Sequence, residues 1–274
     1  MSDARPIGLF DSGVGGLTVL DAVARRLPRE NILYLGDTAR LPYGTKSRET
    51  VRRYALRASS LLTERGVKAI VVACNTATAL ALDLLVERLP IPVLGVVEPG
   101  ATLAVEEARA LDDEDGAPAP VAVLATEATV ASDAYGKAIR RLDPSRPVVN
   151  VPCPLFVPLA EEGWTDNDVA RAAAAHYMAP VLAAGARVVV LGCTHYPLLR
   201  ATIAAALPPG TVLVDSAEST ARVLEGMLGP GARRAGEGAG ETHLLVTDSS
   251  ERLRRVAGRF LGREAAALEL VDLP

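Results

Sequence analysis

The chain is short of the residues that several large functional classes require. Its 29 basic residues are outnumbered by 33 acidic ones, for a formal net charge of −4. No concentrated basic patch is present, and that excludes a surface built to neutralise nucleic-acid phosphates. Lysine is scarce: only Lys46, Lys68 and Lys137 occur, and none sits in a sequence context that marks a Schiff-base residue. Three cysteines, an odd number, make no disulfide framework and predict reduced thiols in a cytoplasmic protein. No C-x-x-C pair and no helical His-His spacing supports a zinc site, although Cys193-x-His195 keeps that reading open for metal analysis. The most apolar stretch, Ala69 to Val86, is broken by Asn75, Thr76, Thr78 and Asp83, so no membrane span is expected. Six mostly polar residues precede the first apolar run at Ile7, too few for a signal peptide.

What remains is an ordinary globular composition, 49% apolar and 23% charged over 274 residues, enough for one large or two small domains. Strand-like runs at Ile7–Phe10, Ile32–Leu35, Ala69–Ala73, Val93–Val97, Val121–Leu124, Val148–Val151, Val188–Leu191 and Val212–Val214 alternate with helical patterns such as Ser47–Glu64, Ala77–Arg88 and Asn167–Leu182. That alternation predicts an α/β fold with open, mainly parallel sheets. Asp112 to Pro120 reads as a surface loop, and Gly229 to Gly240 as a flexible connection before a last strand, helix and strand.

Two of the cysteines occupy nearly the same local sequence. Ala69-Ile70-Val71-Val72-Ala73-Cys74-Asn75-Thr76 and Arg187-Val188-Val189-Val190-Leu191-Gly192-Cys193-Thr194-His195 are each a β-branched run ending at a thiol, then small polar residues, then a helical pattern. Buried parallel strands read this way when they deliver a side chain to their carboxyl end, where open α/β sheets place their chemistry. The repetition predicts two related α/β units, residues 1–97 with 214–274 and residues 98–213, presenting Cys74 and Cys193 to one site. Cys153, in a Pro-flanked turn, reads as an inert buried thiol.

Other strand ends carry polar turns. Phe10-Asp11-Ser12-Gly13-Val14-Gly15-Gly16 lacks the G-x-G-x-x-G spacing, and Asp11 puts a negative charge where a pyrophosphate would lie. Asp11 suits an ammonium group or a proton instead, and the glycines are expected to allow positive φ. In Asp37-Thr38-Ala39-Arg40-Leu41-Pro42-Tyr43-Gly44, Pro42 and Gly44 shape a turn that presents backbone donors and the Tyr43 ring. Asn75, Thr76, Thr194 and His195 sit where helices begin, suited to holding a carboxylate and favouring a thiolate. Thr126 and Thr129 follow a third strand, and Glu161 and Glu162 lie at a helix end, where acids are unfavourable unless solvated or used. His176 and His243 have no motif around them.

These segments, FDSGVGG (Phe10 to Gly16), GDTARLPYG (Gly36 to Gly44), ACNTATA (Ala73 to Ala79), CPLFVPLAEEG (Cys153 to Gly163) and LGCTHYPLL (Leu191 to Leu199), resemble in order those of the bacterial glutamate racemases of the aspartate/glutamate racemase superfamily. The likeness runs almost end to end. One departure is Ala125, where the family usually has glycine before the threonine. The resemblance implies two pseudo-twofold-related α/β domains with the site in the cleft between them, a homodimer, and cofactor-independent interconversion of L- and D-glutamate for peptidoglycan. It further implies that Cys74 serves the D-enantiomer with help from Asp11, and Cys193 the L-enantiomer with help from His195. Asp37 and Glu161 stand behind them. Asn75, Thr76, Thr126, Thr194 and the Tyr43–Gly44 backbone would hold the carboxylates, with Ser12 near the amino group. Aspartate racemase, another two-cysteine isomerase, and a non-catalytic module binding a phosphorylated ligand through the Gly13–Gly16 turn are the competing readings. Control through an N-terminal extension is expected to be absent.

Overall fold

The structure is a computed structural model that describes residues 3–112, 118–229, 231, 233, 238–262 and 268–273. The middle of each expected loop, 113–117 and most of 230–237, lies outside the described residues. The chain divides into two compact units, Met1–Val96 with Ala217–Pro274, and Val97–Ser216.

In the first unit the chain runs β1 (Ile7–Asp11), α1 (Leu17–Arg26), β2 (Ile32–Gly36), α2 (Arg48–Glu64), β3 (Ala69–Val72), α3 (Asn75–Arg88) and β4 (Val93–Gly95). The second unit holds α4 (Val97–Arg109), β5 (Val121–Ala125), α5 (Glu127–Ser132), α6 (Ala134–Leu142), β6 (Val148–Pro152), α7 (Phe156–Glu162), α8 (Asp168–Ala183), β7 (Val188–Gly192), α9 (Arg200–Ala205) and β8 (Val212–Asp215). Helix α10 (Ser216–Leu228) leads back to the first unit, which β9 (Thr242–Val246), α11 (Glu251–Leu261) and β10 (Leu268–Leu270) complete.

Among the described residues every strand pairing is parallel. The first sheet is ordered β10-β9-β2-β1-β3-β4 and the second β6-β5-β7-β8. Strands covered on both faces should be apolar without alternation, and β1, β2, β3, β5 and β7 are buried at every position. In the second unit the period of two sorts them between two cores. Ala122, Leu124, Val189 and Leu191 face a cluster with α7 and α8, while Val121, Val123, Val188 and Val190 face one with α4 and α6. Each fully buried Val, Leu or Ile contributes roughly 1.5–3 kcal/mol, so the sheets anchor whatever leaves their ends.

Local signals place the helix starts. Ser47, Asn167 and Ser250 accept hydrogen bonds from Thr50, Ala170 and Leu253 N–H groups and cap α2, α8 and α11. Three boundaries depart from expectation. β4 stops at Gly95 and Val97 already belongs to α4, because the apolar run of Val96 and Val97 continues into a buried helix with no breaker between. Helix α3 begins at Asn75, two residues before the apolar pattern, because the Cys74 side chain itself caps it. After His195 comes a 3₁₀ turn, Tyr196–Leu199, with Pro197 at its start, and only then the six residues of α9.

Candidate active site

The polar side chains of the first unit gather at one edge of its sheet. Register pairs Asp11 with Gly36 and Gly36 with Val246, and Ala73 N–H bonds to Phe10 carbonyl at 2.8 Å. Asp11, Asp37, Cys74 and Thr247 therefore leave four adjacent strands at their carboxyl ends. Cys74 is buried and caps the 14-residue α3: its Sγ accepts from Ala77 N–H at 3.4 Å and donates to Ser12 Oγ at 3.5 Å. Asn75 and Thr76, the first residues of that helix, are buried beside it.

Asp11 is fully buried, and its Oδ2 accepts from Gly13 N–H at 2.9 Å. No glycine of this turn has a positive φ, and at Gly16 it is space that requires a glycine. Gly16 is right-handed (φ −62°), and a Cβ there would lie 2.6 Å from Asp11 Cβ and 3.0 Å from Ala73 Cβ. A Cβ on Gly36 would overlap the Gly13 carbonyl oxygen, which also accepts from Tyr34 Oη at 2.8 Å.

Asp37, also fully buried, accepts at Oδ1 from Arg40 Nη1 (3.0 Å) and Thr247 Oγ1 (2.9 Å), and at Oδ2 from Tyr43 Oη (2.6 Å). The Tyr43 ring is packed against Phe10 and Tyr54, with centroids 6.1 and 5.8 Å away, and is only 1% exposed. The expectation that this ring is presented to a ligand is therefore corrected: its hydroxyl is spent on Asp37. Burial, then the Asp37 charge, raise the Tyr43 phenol well above its ordinary pKa, so it stays a donor. Gly44 lies in the 3₁₀ turn Tyr43–Thr45 without a left-handed φ, and the Leu41–Pro42 peptide before it is cis.

The second unit uses different chemistry at the same kind of edge. Ala125 pairs with Gly192, so Thr126 and Cys193 leave neighbouring strands side by side. His195 Nδ1 lies 3.9 Å from Cys193 Sγ and 3.5 Å from Thr194 Oγ1, while Nε2 lies 3.2 Å from Glu161 Oε1. Burial alone would lower the His195 pKa, but hydrogen bonds and charge from Cys193 and Glu161 outweigh it and push it up to about 10. As an imidazolium it donates from both nitrogens, and Cys193 together with Glu161, in the last turn of α7, makes this favourable.

Aromatic packing sets that geometry. Phe156, at the start of α7, meets Tyr177 and Tyr196 edge-on at 5.0 and 5.2 Å, and Tyr196 Oη donates to the Cys153 carbonyl at 2.8 Å. Thr126 caps α5, accepting from Thr129 N–H at 3.4 Å and sharing a 2.9 Å hydrogen bond with Thr129 Oγ1. Cys153 is fully buried, and burial drives its pKa far up, as suits an inert thiol. His176 and His243 are exposed, beside Tyr177 and Glu241 respectively.

The structure thus brings Asp11, Ser12, Asp37, Tyr43, Gly44, Cys74, Asn75 and Thr76 to one sheet edge. It brings Thr126, Glu161, Cys193, Thr194 and His195 to the other. Of the two other side chains that touch Asp37, Arg40 lies within the Gly36–Gly44 segment but was given no role there, and Thr247 belongs to no motif. The only signal for Thr247 is its place directly after an apolar strand. Among the described residues no group of three or more His, Cys, Asp or Glu is arranged to hold a metal, and no helix is long and apolar enough to cross a membrane.

Residues 9–224 match the family described as Asp/Glu/Hydantoin racemase. The glutamate racemase of Geobacter metallireducens is 49% identical over 98% of this chain and 97% of its own length. Among solved structures, the glutamate racemase of Francisella tularensis in complex with D-glutamate superposes with a TM-score of 0.90 at 36% identity, covering 99% of this chain and 98% of that one. That of Thermus thermophilus, in complex with β-chloro-D-alanine, gives 0.85 at 45%, covering 100% and 99%. The chain belongs to the Asp/Glu/Hydantoin racemase family, and is thereby a racemase.

Proposed function

We propose that the chain interconverts L- and D-glutamate with Cys74 and Cys193 as the two proton-transfer groups. The α-hydrogen of an amino acid is a very weak acid, and inversion requires its removal from one face and delivery of a proton to the other. Two opposed groups do this without either having to move, and a thiolate with a thiol is one such pair. In one direction the Cys74 thiolate takes the α-proton, leaving a carbanion conjugated with the α-carboxylate. The Cys193 thiol then gives its proton to the opposite face and becomes the thiolate. The reverse direction exchanges the roles, so Cys74 works on D-glutamate and Cys193 on L-glutamate.

The main support is that both thiols stand at carboxyl ends of buried parallel strands, each with its own means of carrying negative charge. At Cys74 the amide of Ala77 and the α3 N-terminus do so. At Cys193 the imidazolium of His195, backed by Glu161, lies beside the sulfur. Asn75, Thr76, Thr126, Thr194 and the N–H groups of the Tyr43–Gly44 turn hold the two carboxylates, and Ser12 and Asp11 receive the ammonium group. Such fixed donors stabilise the developing charge.

The phosphorylated-ligand reading loses one donor of its turn, because Gly13 N–H already bonds to the chain's own Asp11 carboxylate. Lys68 is ion-paired with Glu30 at 2.6 Å, and Lys137 donates to the Ser132 carbonyl at 2.8 Å, so neither stands ready to form a Schiff base. In the cell we propose a cytoplasmic, cofactor-independent homodimer supplying D-glutamate for peptidoglycan.

A chiral assay of the purified chain with glutamate in D₂O tests the reading. Wild-type protein should invert either enantiomer with solvent deuterium at the α-carbon, and Cys74→Ser and Cys193→Ser should each slow inversion by about 10²–10⁴-fold. Substantial inversion in either variant, or a preference for aspartate over glutamate, would overturn it. One methylene alone discriminates by only about 10–200-fold, so both substrates must be compared quantitatively.

A further inference from the structure

Thr247 has no motif and lies 210 residues from the loop it touches, yet its hydroxyl works in two directions at once. It donates to Asp37 Oδ1 at 2.9 Å and accepts from Ala39 N–H at 2.9 Å. The next residue forms a second clamp on the same loop. Thr38 Oγ1 donates to the Asp248 carbonyl at 2.7 Å and accepts from Asp248 N–H at 2.8 Å. Thr247 N–H also bonds to the Gly36 carbonyl at 3.2 Å, so the corner after β9 is tied to the end of β2 by backbone as well.

Asp37 is fully buried and Thr38 nearly so, which leaves little room for water to replace a missing partner. Through Asp37 the effect reaches Tyr43, whose hydroxyl bonds to Oδ2 and whose backbone begins the 3₁₀ turn. Arg40 closes the same network by bonding to Asp37 and to the Leu273 carbonyl.

We propose that Thr247 is a positioning residue for substrate binding: through Asp37 and Ala39 it sets the Tyr43–Gly44 turn, with the Thr38–Asp248 clamp as a second tie. The proposal rests on the reading that this turn holds a carboxylate of glutamate. It assigns to the corner after β9, in the part of the chain that returns to the first unit, a part in binding that the motif-bearing segments do not reveal.

The test uses Thr247→Val and Thr247→Ser in the full chain, with kcat and KM measured in both directions and thermal melting as a control. Thr247→Val keeps the shape and removes both hydrogen bonds. It should raise KM for glutamate roughly tenfold in each direction while kcat stays within about twofold, a loss in the range of one hydrogen bond to a charged group. Thr247→Ser restores the hydroxyl and should return KM to within about twofold of wild type. A purely structural role would instead lower melting and the active fraction, seen in kcat, with KM unchanged. An unchanged KM in Thr247→Val, or a raised KM that serine fails to rescue, overturns the proposal. Should Thr247→Val not fold, Thr38→Val breaks the second tie without removing a donor from Asp37, and an unchanged KM there overturns it equally. Wild-type protein inactive on glutamate would refute the functional reading itself, whereas active wild type with a kinetically silent Thr247→Val refutes only this inference.

Discussion

Cys74 and Cys193 leave similar strands and meet dissimilar company. Cys74 caps a 14-residue helix and has an amide and a hydroxyl within reach. Cys193 is followed by a 3₁₀ turn and a helix of six residues, and has an imidazole braced by a carboxylate. A helix terminus supplies a partial charge that does not titrate, whereas an imidazolium supplies a whole charge that does. In the mechanism proposed, the same task, carrying negative charge on sulfur, falls to a permanent dipole in one unit and to a pH-dependent ion in the other. Duplicated strands need not deliver duplicated chemistry.

The most severe way to break the comparison is to remove the thiols. Cys74→Ser and Cys193→Ser should each lower kcat/KM by about 10²–10⁴-fold, the usual worth of a positioned acid or base. The enantiomers have equal free energy in achiral water, so kcat/KM must fall equally in both directions. Asymmetry can appear only in kcat, KM or solvent-isotope incorporation. If one variant retained near-wild-type turnover by a chiral assay, the two thiols would not be partners.

A smaller effect is expected from the titrating half alone. His195→Gln should lower kcat roughly 10–100-fold, as befits a lost charge-assisted hydrogen bond. In wild type, activity should fall as the pH rises through about 10, where His195 loses its proton, and that limb should vanish in the variant. Stability follows the same sign. The folded state holds the proton more tightly than a free histidine with a pKa of about 6.5. The stabilisation is therefore complete below that pH and is lost as the pH rises through about 10. Melting curves of wild type and variant should converge over that interval, and a gap independent of pH would contradict the assignment.

On the Cys74 side the tight turn can be probed without substituting a titrating group. Gly16→Ala places a Cβ 2.6 Å from Asp11 Cβ and 3.0 Å from Ala73 Cβ. Relieving that overlap should cost about 1–3 kcal/mol by denaturant titration. A variant as stable as wild type would mean the turn can yield. The smallest effect is that of Ser12→Ala, which removes the 3.5 Å contact to Cys74 Sγ. It should lower kcat about 3–10-fold with no change in the limb near pH 10, and a shift of that limb would link the two halves through more than the substrate.

The strands were the most legible part of the chain. Ile7–Phe10, Ala69–Ala73 and Val188–Leu191 are β-branched runs that a sheet covered on both faces demands, and they lie within a residue of the observed elements. Boundaries failed where one apolar run serves two elements, as at Val96 and Val97. Positive φ was expected of the first turn's glycines and none has it; at Gly16 the constraint is a clash with Asp11 and Ala73, neighbours that only the fold supplies. Tyr43 was expected as an open ring and is a buried donor, since Phe10, Asp37 and Tyr54 converge on it from separate segments.

By itself the sequence determined which strands exist, that they lie parallel, and that Cys74 and Cys193 stand at strand ends. Those are properties of local residue runs and their period. Only the tertiary structure decided that His195 bonds to Glu161, 34 positions away, and that Thr247 holds a loop 210 positions away. Hydrogen bonds over such separations depend on register and packing, which no local pattern encodes, and burial of Asp37 is what makes the longer one costly to lose.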